Sequence, residues 1–177
     1  FPNGSVHKHL SELYGLNYEE SKQMSFKLLY GGITNEVANS IEFFKKTKHY
    51  INTLWYNFNH RNYVKTNIYN RRLYKYNLHD MNKNKLFNYL IQAHETETNI
   101  QTILELQKYL LNKKTNLILY GYDSFLFDVS NHDGINVVRK IKEILERNGH
   151  LTKSKMGINY SDMKDITKKL QEKYEHN

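Results

Sequence analysis

The sequence contains no cysteine, and only one of its 177 residues, Pro2, is a proline. The lack of cysteine excludes disulfide bonds and thiolate metal sites, and it is typical of proteins in a reducing compartment. No apolar run approaches the ~20 residues that a membrane-spanning helix needs. The N-terminus shows no signal peptide, and because it begins Phe-Pro without methionine we expect a trimmed chain or an excerpt. These absences predict an intracellular protein that is neither secreted nor bound to a membrane.

Positive charge and aromatic rings are abundant. Lysine and arginine outnumber aspartate and glutamate by 26 to 18, which gives a formal net charge of +8. Fifteen tyrosines and eight phenylalanines make up most of the 14% aromatic content. Such a chain favours polyanionic partners, nucleic acid first, because bases stack on rings and cations neutralise phosphates. A genome rich in A and T yields the same mixture of Lys, Asn, Tyr and Ile, so composition alone leaves both explanations open.

The N-terminal half has a helical pattern. A helix is predicted from about His7 to Tyr14. Asn17 and Glu20 form a capping box that opens the next helix, and this helix ends at Gly31-Gly32 in a left-handed turn. Helical spacing then continues over residues 34–59. Residues 63–81 are basic and are predicted to be irregular.

The C-terminal half mixes helices with strands. A long helix is predicted over residues 83–112, with Leu86, Ile91 and Leu106 on its apolar face. The segment "NLILYGYDSFLFDV" consists of two apolar runs that meet at a turn, which predicts a β-hairpin with Asp123 near its tip. A helix over residues 134–148, a strand over residues 155–160 and a charged terminal helix follow. This order predicts an α+β fold.

The second helix carries an unusual stripe. Lys22, Phe26 and Tyr30 fall at positions i, i+4 and i+8, so a cation and two rings share one face. One interpretation is an aromatic core stripe beside a solvated lysine. The other is a ledge for a ligand that carries both negative charge and a flat ring.

Two further places offer candidate chemistry. An aspartate in a tight turn is usually only a turn residue. A carboxylate between the rings of Tyr122 and Phe125 would also suit a divalent cation, although one carboxylate does not complete a Mg²⁺ site. The adjacent Arg71 and Arg72 lie among tyrosines, which suits contacts to phosphates but equally a solvated loop.

These motifs together resemble the C-terminal fingers and palm portion of family A DNA polymerases, the class of bacterial DNA polymerase I and the phage replicases. The fingers helix of that family has a lysine, an aromatic residue four positions later and then Tyr-Gly. A histidine opens an upstream helix, and an arginine loop, an Asn-Gln pair and a His-Asp-Glu hairpin follow. The matching residues here, collinear over nearly the whole chain, are His7; Lys22, Phe26, Tyr30 and Gly31; Thr66, Arg71 and Arg72; Asn88 and Gln92; and Tyr122, Asp123 and Ser124.

The resemblance implies a phage-like DNA polymerase that extends a primer on a DNA template with dNTPs. Residues 1–62 would form the fingers, and residues 63–177 the second half of the palm. The dNTP-binding residues would be His7, Lys22, Phe26 and Tyr30; the DNA-binding residues would be Arg71, Arg72, Asn88, Gln92 and Tyr122. Asp123 would be the catalytic metal ligand for two Mg²⁺ ions. The implied location is the cytoplasm of a phage-infected cell or an organelle with an AT-rich genome.

The sequence departs from the family at several positions. Tyr18 stands where the family has an arginine, and Tyr122 and Ser124 replace the histidine and glutamate of the hairpin. No strand with the first catalytic aspartate precedes His7, so we expect an upstream segment or a separate polypeptide to supply it. The alternatives are a non-catalytic nucleic-acid-binding relic of a palm and a plain helical interaction domain.

Overall fold

The computed structural model describes residues 6–149 and 151–171, without the side chains of Val6 and Gln171. Helices dominate, three short antiparallel hairpins supply the strands, and the predicted α+β class is confirmed. The helices are α1 Val6–Tyr14, α2 Tyr18–Gly31, α3 Asn35–Ser40, α4 Glu42–Arg61, α5 Lys83–Leu110, α6 Gly134–Glu146 and α7 Thr167–Gln171. The strands are β1 Tyr63–Lys65, β2 Arg72–Tyr74, β3 Asn116–Gly121, β4 Ser124–Asp128, β5 Lys155–Met156 and β6 Lys164–Asp165. Two 3₁₀ turns lie at Lys75–Asn77 and Tyr160–Asp162.

The chain divides into two compact units within helix α5. The first unit ends at Glu97 and the second begins at Thr98. This division rests on spatial contacts. The boundary predicted between residues 62 and 63 would instead separate the fingers from the palm, and it stays a prediction. None of the described helices is long and apolar enough to cross a membrane.

Helix α2 begins as predicted and ends differently. The Asn17 side chain accepts a hydrogen bond from the N–H of Glu20, and the Glu20 carboxylate accepts one from the N–H of Asn17, which confirms the capping box. Gly32 has φ 120° and ψ 138°, so the left-handed helical turn predicted here is wrong. A Cβ on Gly32 would lie 3.0 Å from Nδ2 of Asn84, which donates a hydrogen bond to the carbonyl oxygen of Gly31. Both the positive φ and this close approach therefore favour glycine.

The single helix predicted over residues 34–59 is wrong, because the chain breaks it at Ile41. Ile41 adopts an extended conformation between α3 and α4, with φ −132° and ψ 111°. Its side chain is buried in the core of the first unit, and that burial favours the break. The buried residues of this core are Leu10, Leu28, Ile33, Ala38, Ile41, Phe44, Ile51 and Phe87.

Residues 63–81, predicted to be irregular, contain a hairpin instead. Strand β1 pairs with β2, with Val64 opposite Leu73. These two side chains pack with Phe58 and Leu86 in a small second cluster of the first unit. Burial of this inner face accounts for the pairing of strands that are only three residues long.

The second unit is built around the hairpin predicted from sequence. Strand β3 pairs with β4, and half-buried side chains of both strands pack against α6 and the C-terminal part of α5. The buried residues of this cluster are Leu106, Leu110, Val137, Ile141 and Ile144, joined by Leu117, Phe125 and Phe127.

The remaining boundaries differ slightly from the predictions. Helix α5 ends at Leu110 and α6 at Glu146, two residues earlier than expected in each case. Ile91, predicted on the apolar face of α5, is 38% exposed. The strand predicted over residues 155–160 is confined to β5, and Tyr160 begins a 3₁₀ turn.

Candidate functional site

The aromatic stripe of α2 faces solvent. Phe26 is 41% exposed and Tyr30 is 44% exposed. Their ring centroids lie 5.7 Å apart with 28° between the planes, so the two rings are stacked. The residues of α2 that are buried are Ser21, Ser25 and Leu28. The interpretation of this stripe as core is therefore wrong, and the stripe is a surface.

His7 of α1 joins this surface. Its Nδ1 lies 2.9 Å from Oγ of Ser25, and its ring centroid lies 5.7 Å from that of Phe26. The Ser25 hydroxyl donates its single hydrogen to the carbonyl oxygen of Ser21 at 2.7 Å. Ser25 Oγ must then accept from His7, which assigns the proton to Nδ1. His7 can offer a second N–H to an anion only when the ring is protonated, because Nε2 of this neutral tautomer is an acceptor.

Lys22 completes the stripe with a positive charge. No carboxylate of residues 6–149 or 151–171 forms an ion pair with it. Tyr18 makes a T-shaped contact with His7, with the ring centroids 6.0 Å apart. The helix therefore presents one half-buried, unneutralised cation beside two stacked rings.

Arg71 is held by a buried carboxylate that the sequence did not single out. Glu97 on α5 is only 3% exposed, and its Oε2 accepts a hydrogen bond of 3.1 Å from the N–H of Tyr69. Nε of Arg71 lies 3.6 Å from Oε1 of Glu97. Burial raises the pKa of Glu97, but hydrogen bonds from Thr66, Tyr69 and Ile68 and the charge of Arg71 outweigh it and lower the pKa. Glu97 thus anchors the loop between β1 and β2 as an ionised group.

A sequence signal for Glu97 does exist. The buried or half-buried positions Leu86, Leu90 and Ala93 form one stripe of α5, and Glu97 continues it four residues later. A charged residue at a core position of a helix needs a partner. That partner lies in the basic loop.

Arg72 lies in a different environment. Its guanidinium carbon is 5.0 Å from the ring centroid of Tyr63, and its Nη1 donates a hydrogen bond of 3.3 Å to Oη of Tyr74. This hydrogen bond is the main cause that raises the pKa of Arg72. The two arginines are therefore not equivalent, since one is paired with a buried acid and the other contacts half-buried rings.

Asn88 and Gln92 lie one turn apart on α5. Asn88 is half-buried, and its buried Oδ1 has no hydrogen-bond partner among the described residues. Gln92 is exposed. Their i, i+4 spacing places them on the same side of the helix, as the resemblance requires.

Asp123 lies at the exposed tip of the β3–β4 hairpin, as predicted. Tyr122 before it has φ 51°, an unfavourable conformation for an aromatic residue, and its side chain is 90% exposed. Nδ2 of Asn99 donates to the carbonyl oxygen of Tyr122 at 3.1 Å, and Oγ of Ser124 donates to that of Gly121 at 2.9 Å. These bonds fix the turn, whereas the expectation that rings enclose Asp123 is wrong.

The described residues do not form a complete Mg²⁺ ligand set around Asp123. No group of three His, Cys, Asp or Glu side chains suited to a metal ion occurs among residues 6–149 and 151–171. Asp128 is opposite Asn116 at the other end of the hairpin. A Mg²⁺ site at Asp123 therefore stays a prediction.

Comparison with known proteins assigns a fold to this arrangement. No protein-family model matches the sequence, and no curated protein matches it. The structure is similar to a solved structure of the POL domain of Pol1 from M. smegmatis in complex with DNA primer-template and dNTP, with a TM-score of 0.62 over 85% of this chain. The chain has a polymerase-like fold. At 16% sequence identity the similarity shows the fold alone, and this chain spans 32% of the length of that one.

Proposed function

We propose that the chain is the fingers and second palm half of a phage-like family A DNA polymerase. It would take part in template-directed nucleotidyl transfer from a dNTP to a primer 3′-hydroxyl. The observation that carries this proposal is the exposed Phe26–Tyr30 stack beside Lys22 and His7, on a chain with a polymerase-like fold.

The stripe of α2 supplies what a nucleotide needs. Lys22 neutralises charge on the triphosphate, and Phe26 and Tyr30 offer flat faces to the sugar and base. When protonated, His7 would contribute a second cation. Its Nδ1 proton is donated to Ser25, so the N–H that it can offer to the triphosphate is the one on Nε2.

Primer-template DNA is the second proposed partner. Arg71 and Arg72 would contact the DNA backbone, Gln92 and Asn88 the minor groove near the primer end, and Tyr122 the primer terminus. The similar solved structure contains DNA primer-template and dNTP, which supports both partners. The net charge of +8 favours the same polyanion.

Asp123 would hold one side of a two-Mg²⁺ centre. When bound, the ions supply positive charge to the attacking and leaving oxygens. The primer hydroxyl attacks the α-phosphate, the bond to the β-phosphate breaks and pyrophosphate leaves. The other aspartate would come from an upstream palm segment, in the same polypeptide or in a separate one.

Primer extension tests this proposal directly. The 177-residue chain alone should not extend a primer, because one carboxylate cannot hold two ions. Addition of the natural upstream segment, in cis or as a second polypeptide, should give Mg²⁺-dependent extension. Primer extension by the chain alone, or a lack of extension by the assembly, would contradict the proposal.

A non-catalytic relic is the second candidate, favoured by Tyr122 and Ser124 where the family has histidine and glutamate. A relic would bind primer-template without binding metal at Asp123. Electron paramagnetic resonance with Mn²⁺ separates the two candidates in the assembled protein. Binding that is lost in Asp123→Asn supports the enzyme, and binding that is unchanged or absent supports the relic.

A further inference from the structure

The outer face of the β1–β2 hairpin carries only rings and cations. In the register Tyr63 is opposite Tyr74, and Lys65 is opposite Arg72. The pair between them, Val64 and Leu73, turns inward into the cluster around Phe58. Because successive side chains of a strand alternate between faces, Tyr63, Lys65, Arg72 and Tyr74 share the outward one.

The rings of this face form a continuous series. The centroids of Tyr63 and Tyr74 lie 5.8 Å apart. Tyr76, just beyond β2, stacks on Tyr74 at 5.2 Å with 25° between the planes. Tyr76 is 69% exposed, so the outermost ring of the series has a free face. We call Tyr63, Lys65, Arg72, Tyr74 and Tyr76 the hairpin platform.

Positive charge is interleaved with these rings and is not neutralised. Arg72 lies over the ring of Tyr63 and donates a hydrogen bond to Oη of Tyr74. No carboxylate in the described part of the chain forms an ion pair with Arg72 or Lys65. The neighbouring Arg71, by contrast, is paired with Glu97. The platform therefore suits a partner that combines flat rings with negative charge.

We propose that the hairpin platform binds single-stranded DNA by stacking its unpaired bases. Stacking on aromatic side chains tolerates any sequence, and cations between the rings can contact the phosphates. A blunt duplex offers phosphates but no free base faces inside its stack, and an acidic peptide offers charge without base rings. The choice of DNA as the partner rests on the proposed function, which supplies a template with an unpaired stretch.

Fluorescence anisotropy with labelled oligo(dT) and with a blunt duplex tests this proposal on the full chain. Tyr76→Leu should weaken oligo(dT) binding by roughly 5-fold or more and leave duplex binding unchanged, because one stacked base is worth roughly 1–3 kcal/mol. In Tyr76→Leu the salt dependence of oligo(dT) binding should be unchanged. Lys65→Gln should instead reduce the slope of log affinity for oligo(dT) against log salt by about 0.7. The matched control is Tyr160→Leu, an exposed tyrosine of the second unit, which should bind like the wild type.

Two further variants separate stacking from a structural role. Tyr76→Trp enlarges the ring and should bind oligo(dT) at least as tightly as the wild type. Tyr74→Phe removes the hydroxyl that accepts from Arg72 but keeps the ring, so oligo(dT) binding should persist.

Any of three results with the Tyr76 variants would overturn the platform. They are an unchanged oligo(dT) affinity in Tyr76→Leu, an equal loss on blunt duplex, and weaker binding by Tyr76→Trp. Competition by polyglutamate as effective as that by unlabelled oligo(dT) would also contradict stacking. Failure of the proposed function has a different signature, since the assembled protein would then not extend primers while Tyr76→Leu would still lose oligo(dT) affinity.

Discussion

Oε1 of the buried Glu97 lies 3.6 Å from Nε of Arg71, and Oε2 of the same carboxylate accepts a hydrogen bond from the N–H of Tyr69. This single side chain therefore holds a basic loop against helix α5. The Oγ1 atom of Thr66, also buried, accepts a hydrogen bond from the N–H of Arg71 at 3.0 Å and closes the loop from the other end. The position of Arg71 thus depends on a residue that need not touch DNA.

Replacement of Glu97 should loosen this loop. Glu97→Ala removes the acceptor of the part-buried hydrogen bond from the N–H of Tyr69, which should lower the free energy of unfolding by about 1–3 kcal/mol. Affinity for primed DNA should fall as well, because Arg71 loses its anchor. Urea denaturation and a binding titration measure both effects. Glu95→Ala changes an exposed carboxylate of the same helix and is the control; equal stability of the two variants would contradict the anchoring role.

The second unit should lose stability in acid through Asp133. Its carboxylate accepts hydrogen bonds from the hydroxyl and N–H of Thr115, both at 2.7 Å, and from the N–H of Lys114. The hydrogen bond from the Thr115 side chain is the main cause that lowers the pKa of Asp133 below 3.8. A lowered pKa in the folded state means that this stabilisation is present above the ordinary value and is lost as the pH falls through the folded pKa.

Thermal melts between about pH 6 and pH 2 test the role of Asp133. Asp133→Asn should lower the Tm at pH 6 and flatten its dependence on pH below 4 relative to the wild type. The exposed Asp128→Asn serves as the control. An acid profile of Asp133→Asn that parallels the wild type would show that Asp133 has no such role.

Binding to primed DNA should depend steeply on salt. The net charge of +8 and the basic loop make counterion release the main source of affinity. The logarithm of affinity should fall by about 0.9 per logarithm of salt for each phosphate contacted. Arg72→Gln should reduce this slope by about 0.9, the value for one phosphate contact. A slope near zero for the wild type would exclude an electrostatic interface.

Phe26 should govern discrimination between sugars. The resemblance places this ring against the nucleotide ribose, and a tyrosine at this position in the family admits dideoxynucleotides. Phe26 is exposed, so Phe26→Tyr should raise chain termination in the assembled enzyme with little change in stability. Primer extension with a mixture of dNTPs and dideoxynucleotides measures the effect. Unchanged termination would mean that α2 is aligned wrongly with the family.

Local signals explain what the sequence predicted well. The capping box of α2 and the turn of the β3–β4 hairpin depend on residues a few positions apart, and both were confirmed. The break at Ile41 was missed because an isoleucine at helical spacing also fits an extended residue whose side chain enters the core. Strands β1 and β2 were missed because three residues are too few for an alternating pattern to stand out.

The candidate site shows the same limit. The stripe of α2 was visible in sequence, but its exposure was not, because the helix buries the small polar side chains Ser21 and Ser25 instead of its rings. Helical spacing places Glu97 at a core position of α5 but does not reveal its partner Tyr69, which is 28 residues away along the chain. Such partners are set by tertiary packing, which spacing within one helix does not show.

Single-nucleotide incorporation by the chain assembled with the proposed upstream segment tests the central claim most directly. The measurement compares wild type, Asp123→Asn and Asp128→Asn, each with the upstream segment, primed template, dNTP and Mg²⁺. Asp128 belongs to the same strand but lies at the far end of the hairpin, so Asp128→Asn controls for the lost charge. Asp123→Asn should abolish incorporation while primed-DNA affinity persists, and Asp128→Asn should retain the wild-type rate. Full incorporation by Asp123→Asn would contradict the assignment of Asp123 as the catalytic carboxylate of this chain.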